Sequence, residues 1–127
     1  MSDSDPTPNF PARLQLRIFF GDDAMLGPGK AELLELIRDT GSISAAGRAM
    51  KMSYKRAWML VEEMNAAFRD PLVTSLRGGP GGGGASVTAA GLTILQLYRS
   101  VEHTAAPAAA ADISRLKSML RDMSAPQ

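Results

Sequence analysis

Apolar side chains recur at the spacing of an amphipathic helix through most of the chain and alternate as in a strand near the N-terminus. Residues 1–12 are polar and contain several prolines, with neither period, which predicts a disordered N-terminal arm. Residues 14–20 alternate before they end in two phenylalanines, and Gly21-Asp22-Asp23 follows as a turn signal. The alternation predicts an N-terminal strand that ends at a turn.

Three successive helices are predicted in the next forty or so positions. The first spans residues 28–40, with Pro28 suited to its first turn and Gly41 as its C-terminal stop. Ser42 is the predicted N-cap of a second helix that runs through residue 50, and Ser53 is the predicted N-cap of a third. The predicted inward-facing residues are Leu33, Leu34, Leu36 and Ile37, then Ile43, Ala46, Ala49 and Met50, then Ala57, Val61, Met64 and Phe68.

A hairpin and a long helical tail complete the predicted order. Residues 72–76 and 85–88 are strand candidates on either side of a glycine-rich loop, which predicts a hairpin with a flexible tip. Thr88 is the predicted cap of the last helix, and Pro107 is expected to break it. The apolar face of this bent tail is predicted to contain Leu92, Leu95, Tyr98, Val101, Ile113, Leu116 and Leu120.

Composition removes several classes of function. The chain has 127 residues with no cysteine and a single histidine, His103, which leaves no disulfide framework, thiolate metal site or ordinary catalytic dyad. We therefore expect no enzyme, no metal site and no cofactor. The absence of a long apolar run or a signal-peptide pattern predicts a cytoplasmic protein with no membrane partner.

The formal net charge is only +1, but the charges are unevenly distributed. Residues 41–60 contain four cations, Arg48, Lys51, Lys55 and Arg56, and no acidic residue. Residues 1–40 have an acidic excess, and the remaining residues are balanced. A one-sided basic segment favours a polyanionic partner over a merely solvated face.

Together these elements predict a mainly α (α+β) fold, a winged helix-turn-helix with an N-terminal strand, a glycine-rich β-hairpin wing and a long C-terminal helical tail. In this fold the third helix enters the major groove of DNA, and its start must be polar or basic on one side. Trp58 is expected either to lie at the edge of that surface or, preferably, to anchor the helix pair. The predicted DNA-binding residues are Ser42, Arg48, Lys51, Ser53, Tyr54, Lys55, Arg56, Arg77, Gly79, Gly81 and Gly82.

Three segments carry a resemblance to a known family. They are Gly-Ser-Ile-Ser-Ala-Ala at 41–46, Met-Ser-Tyr-Lys-Arg-Ala-Trp at 52–58, and the glycine-rich residues 78–85, followed by Leu92 and Tyr98. The chain resembles the N-terminal DNA-binding domain of the molybdate-dependent (ModE-type) transcriptional regulators and, more distantly, the LysR-type helix-turn-helix. The resemblance covers about residues 14–101. It implies a dimer in which the third helix reads a palindromic operator and residues 77–84 bring the wing to the DNA backbone.

The chain departs from the family pattern at two places. Pro80 stands where the family commonly has a lysine, which implies a stiffer wing with one phosphate contact fewer. The family's molybdate-binding β-barrel domains have no counterpart before the chain ends at Gln127, so molybdate binding by this chain is not expected. The resemblance still links the regulator to molybdate- or metal-related genes.

The resulting expectation is a homodimeric transcriptional regulator that binds an inverted repeat in double-stranded DNA. Residues 13–104 are assigned to the winged helix and residues 105–127 to a dimerisation extension. One alternative is a winged helix that acts only as a protein-interaction or dimerisation module. Another is a phosphate-binding loop at Gly27-Pro28-Gly29-Lys30, which lacks the glycine and hydroxyl residue that a P-loop needs at positions 24 and 31.

Overall fold

A computed structural model describes residues 11–76 and 84–121, and these residues adopt the expected winged helix-turn-helix. Most of the expected N-terminal arm, residues 1–10, lies outside the described residues. The chain divides into one unit at Gln15–Ser100 and a second formed by the terminal segments. The elements in chain order are β1 (Ile18–Phe20), β2 (Ala24–Leu26), α1 (Pro28–Thr40), α2 (Ile43–Ala49), α3 (Tyr54–Ala67), β3 (Val73–Leu76), β4 (Gly84–Val87) and α4 (Ala89–Ser118).

Helix α1 has the predicted bounds because both of its ends are specified locally. Pro28 stands at the first helical position, where its missing N–H is no loss. Gly41 ends the helix in the left-handed conformation, with a φ of 71°, and its N–H donates to the carbonyl of Ile37 at 2.8 Å. Leu33, Leu34 and Ile37 of α1 are completely buried.

Helices α2 and α3 both begin at the predicted serine caps. The Ser42 hydroxyl oxygen accepts from the N–H of Ala45, and the Ser53 hydroxyl oxygen accepts from the N–H of Arg56, each at 3.0 Å. Their close packing depends on Gly47, because a Cβ there would lie 3.0 Å from the Cβ of Ala57. The predicted inward stripes are largely confirmed, but Ala49 is exposed, and the buried Leu60 was not predicted.

The hydrophobic core of the Gln15–Ser100 unit lies among the helices and the second strand pair. Fifteen buried apolar residues form this core: Leu26, Ala31, Leu33, Leu34, Ile37, Ala46, Ala57, Leu60, Val61, Met64, Leu72, Val73, Ala85, Leu95 and Tyr98. Tyr98 is almost completely buried, and its hydroxyl donates to the carbonyl of Leu16 at 2.6 Å. This bond connects the N-terminal segment to α4 within the unit, across a separation that sequence patterns do not reveal.

The strands form two antiparallel pairs rather than one strand and a hairpin. The predicted N-terminal strand is shorter than expected and pairs, through the predicted turn, with β2, a strand that was not predicted. The predicted hairpin is present, with Val73 opposite Val87. Asn65 joins α3 to β3, because its amide nitrogen donates to the carbonyl of Val73 at 2.9 Å and its oxygen accepts from the N–H of Leu72 at 2.8 Å.

Helix α4 begins at the predicted cap and continues past the predicted break. The Thr88 hydroxyl oxygen accepts from the N–H of Gly91 at 3.0 Å. The expected break at Pro107 is wrong, because the proline lies inside a continuous helix. Proline removes one backbone hydrogen bond, but all six residues that flank it, at 105–106 and 108–111, are alanine, the residue with the highest helix propensity. That propensity sustains the helix through the defect.

Candidate nucleic-acid interface

The N-terminal turn of α3 exposes polar and cationic side chains. Lys55 and Arg56 are exposed, as is Tyr54 with 56% of its surface accessible, whereas the next residue, Ala57, is completely buried. The Ser53 hydroxyl oxygen is occupied by its cap hydrogen bond, but its proton can still be donated to a phosphate oxygen. The turn therefore presents one ammonium group, one guanidinium group and two hydroxyl groups to solvent.

Helix α2 and the turn after it supply the other two cations. Arg48 is exposed, and its Nη1 donates to the Ser44 hydroxyl at 2.9 Å, which orients the guanidinium on the surface of α2. Lys51 is exposed in the turn and has a φ of 59°. Ser42 is half-buried at the start of α2, with its hydroxyl oxygen bonded to the N–H of Ala45.

The four cations of this segment have no ion pair with any described residue. In contrast, Lys30, Arg38 and Arg99 each lie within 3.2 Å of a carboxylate oxygen. Unpaired cations on adjacent helices produce a local positive potential, and phosphates are attracted to such a surface in a salt-dependent manner. We call Arg48, Lys51, Lys55 and Arg56 the basic surface.

The structure places seven predicted site residues in one segment of the chain, at the N-cap of α2, on α2 or α3, or in the turn between them. These are Ser42, Arg48, Lys51, Ser53, Tyr54, Lys55 and Arg56. The other four, Arg77, Gly79, Gly81 and Gly82, lie outside the described residues, between β3 and β4 in sequence. The root of the hairpin is nevertheless close to α2, because the N–H of Ala85 donates to the carbonyl of Gly41 at 2.9 Å.

Two further residues of α3 are accessible. The preference for Trp58 as an anchor of the helix pair is wrong, because it lies outside the core with 44% of its surface exposed. Met59 is 40% exposed and was not singled out from the sequence. Trp58 is four residues after Tyr54, so the two aromatic side chains lie on the same side of α3. The apolar spacing along α3 did not predict that these two aromatic side chains would be exposed beside cations.

The alternative phosphate site at the start of α1 is contradicted by the position of its lysine. Lys30 is buried, with its Nζ 3.0 Å from the carbonyl oxygen of Met25 and 3.2 Å from Oε1 of Glu63. Its ammonium therefore connects elements of the protein instead of facing a ligand. No group of three or more His, Cys, Asp or Glu residues suited to a metal occurs in the described segments.

Comparisons with known proteins agree with this geometry. No family model matches the chain. It is 44% identical over 79 residues, 62% of its length, to the molybdenum-pterin-binding protein MopB of Rhodobacter capsulatus. It is 42% identical over 71 residues, 56% of its length, to the DNA-binding transcriptional dual regulator ModE of Escherichia coli K12. The expected resemblance to ModE-type regulators is confirmed.

The relatives are much longer than the matched region. The chain spans 29% of MopB and 27% of the Escherichia coli ModE. Among solved structures, the CbnR DNA-binding domain in a complex with DNA has a TM-score of 0.51 and 20% identity, covering 69% of this chain and 93% of that chain. This likeness bears on the fold alone, and it confirms the expected winged helix-turn-helix. Across residues 11–76 and 84–121, no helix has the length and apolarity needed to cross a membrane.

Proposed function

We propose that this chain binds double-stranded DNA through α2, α3 and the turn between them, and regulates transcription. The observation that carries the proposal is the basic surface, four exposed cations without an acidic partner among the described residues. Single exposed cations are common on protein surfaces, but four within residues 48–56 without an acid create a local positive potential, which matches the closely spaced negative charges of DNA phosphates. This function requires no enzymatic chemistry.

Each part of the surface has a distinct proposed role. Lys55 and Arg56, on the first turn of α3, read base edges in the major groove. Arg48 and Lys51 bind backbone phosphates, and Ser42, Ser53 and Tyr54 donate to phosphate oxygens. In the wing, Arg77, Gly79, Gly81 and Gly82 approach the adjacent backbone. The likeness of the fold to a domain crystallised on DNA supports this arrangement.

We also propose that two copies bind together to an inverted repeat. Two-fold dimers place their recognition helices about 34 Å apart, one turn of DNA. Exposed apolar side chains near the termini support a partner copy, since Phe19 is 68% accessible and Met119 is 70% accessible. The N-terminal strand and the tail at residues 105–127 are each proposed to contribute to dimerisation.

The location and the target genes belong to the same proposal. A regulator of this kind acts in the cytoplasm, where bacterial DNA lies. The names of the relatives refer to molybdenum and to transcriptional regulation, which supports targets related to molybdate or metals. DNA, and not molybdate, is the ligand that the basic surface fits, because its charges are dispersed along two helices instead of converging on one small anion.

The test is selection from pooled random duplexes with the purified chain at two salt concentrations, followed by sequencing. We expect an enriched inverted repeat and binding that weakens steeply as salt increases. Salt-sensitive binding without enrichment would contradict the regulatory part of the proposal. An absence of binding at both salts would contradict DNA binding and favour the interaction-module alternative.

Variants assign the roles within the surface. Arg56→Ala or Lys55→Ala should lower specific affinity by about 10- to 100-fold and relax the preference at one base position. Arg48→Ala should weaken specific and random duplexes equally and reduce the salt slope by about one unit per contact. Arg38→Ala is the matched control, because it removes an exposed arginine that already pairs with Asp39. Equal losses in all four variants would contradict these assignments.

A further inference from the structure

Lys51 has an unusual backbone conformation for its residue type. Its φ is 59°, and it is the sole non-glycine residue with a positive φ in the described part of the chain. In this left-handed region the Cβ of an L-residue crowds the following carbonyl oxygen, so glycine is the usual occupant. A lysine held there is under backbone strain.

The hydrogen bonds around Lys51 explain why the chain must turn at this residue. The N–H of Met52 donates to the carbonyl of Gly47 at 2.9 Å, and the N–H of Lys51 donates to the carbonyl of Arg48 at 3.0 Å. This pair of bonds is a Schellman motif, whose central residue is left-handed and most often glycine. The conformation therefore follows from the tight connection between α2 and α3 and is independent of the lysine side chain.

The same chain uses glycine where it ends another helix in the same conformation. Gly41 follows α1 with a φ of 71° and donates its N–H to the carbonyl of Ile37. The side chain of Lys51, in contrast, is exposed and has neither a hydrogen bond nor an ion pair with any described residue. The backbone hydrogen bonds of the turn hold this conformation, but no interaction of the Lys51 side chain with a described residue offsets the strain.

We propose that Lys51 is retained in the strained turn for its charge, as a contact to a DNA phosphate that lowers the stability of the free protein. This inference rests on the proposed function, because the phosphate belongs to the same duplex. Lys51 lies two residues before the cap of α3, next to the first turn that presents Lys55 and Arg56. An ammonium on a flexible stem is a point charge suited to a phosphate, so its contribution is independent of base sequence.

Three substitutions separate strain from charge. Lys51→Gly relieves the strain and removes the charge, Lys51→Ala removes the charge and keeps the strain, and Lys51→Arg keeps both. We expect Lys51→Gly to raise Tm by about 3–6 °C relative to the parent and Lys51→Ala to leave it unchanged or lower. Both should weaken binding to the selected duplex and to random duplex equally, by about 3- to 10-fold, with a smaller salt slope. Lys51→Arg should preserve affinity and Tm.

The outcomes distinguish this inference from the function on which it rests. If the parent binds its selected duplex and Lys51→Gly binds it equally well, the inference is wrong and DNA binding stands. If Lys51→Gly loses affinity without any gain in Tm, the charge matters but the opposition between stability and binding is wrong. If the parent binds no duplex, both the proposed function and this inference are wrong, whatever the change in Tm.

Discussion

Two sets of cations in this molecule have opposite surroundings. Lys30, Arg38 and Arg99 each pair with a carboxylate, and the Arg99 guanidinium makes two hydrogen bonds to Glu35 at 2.9 and 3.1 Å. The basic surface has no such partner among the described residues. Paired cations form contacts within the fold, whereas clustered unpaired cations repel one another, and binding of a polyanion relieves that repulsion. The presence or absence of a neighbouring carboxylate therefore separates the two sets of cations.

Among the paired cations, Lys30 should contribute most to the free energy of unfolding, because it is buried. Lys30→Ala removes a buried hydrogen bond to the carbonyl of Met25, the ion pair with Glu63 and the packing of the aliphatic stem. We expect a loss of about 2–4 kcal/mol in the free energy of unfolding, measured by urea denaturation with circular dichroism. DNA affinity of the folded variant should be unchanged, because the ammonium is buried and pairs within the protein.

Lys30→Met is the matched variant, since it keeps most of the stem and loses the charge. It should be less destabilising than Lys30→Ala, and the difference between the two measures the packing of the stem. If Lys30→Ala unfolds at the same urea concentration as the parent, the pairing at this position contributes nothing to stability. The two sets of cations would then differ in their geometry but not in their contribution to stability.

An acidic residue placed next to the basic surface should give one of its cations an ion-pair partner. Met59 is exposed four residues after Lys55 on α3, so Met59→Glu places a carboxylate beside that ammonium. We expect about a tenfold loss of DNA affinity, with a smaller salt slope, because Lys55 is partly neutralised and the new acid repels phosphates. Affinity is measured by fluorescence anisotropy at several salt concentrations.

Met59→Gln controls for the loss of the methionine without adding charge. It should retain most of the affinity, and the free energy of unfolding should change little in either variant, because the side chain lies outside the core. Equal affinity for the two variants would show that Lys55 does not need to be unpaired. That result would count against the basic surface as the DNA-binding element.

The helices were predictable because their determinants are local. Ser42, Ser53 and Gly41 specify ends within four residues of themselves, so their hydrogen bonds follow from sequence patterns. The predicted break at Pro107 failed because a strong single-residue signal was outweighed by the helix propensity of the flanking alanines. Strand β2 has three residues, too few to show alternation.

The candidate site was only partly predictable. Its cations were visible as a charge imbalance along the chain, but the absence of acidic partners in space depends on the fold. The strained φ of Lys51 arises from hydrogen bonds between α2 and the turn that no composition signal reports. The exposure of Trp58 was misjudged because a large aromatic residue on a helix most often packs inward.

Substitution of Arg38 should have the smallest effect, a change in the pKa of the neighbouring Asp39. Its guanidinium donates to the carboxylate of Asp39 at 2.9 Å, and this hydrogen bond, assisted by the positive charge, lowers the pKa of Asp39 below its ordinary value. Arg38→Ala should therefore raise the pKa of Asp39, as measured by NMR titration of its side-chain carboxyl. A lowered pKa stabilises the fold above the ordinary pKa of aspartate, and the contribution is lost as the pH falls through the lowered value.

Because Arg38 and Asp39 are both exposed, solvent screens that contribution, and the unfolding transition of Arg38→Ala should match the parent near neutral pH. Arg48→Ala is the corresponding change in the unpaired set and should leave the pKa of Asp39 unaltered. A shift of Asp39 in both variants would indicate a long-range field shared by the two sets of cations. Such a field would mean that the paired cations also attract DNA, and the division between structural and binding charges would then be wrong.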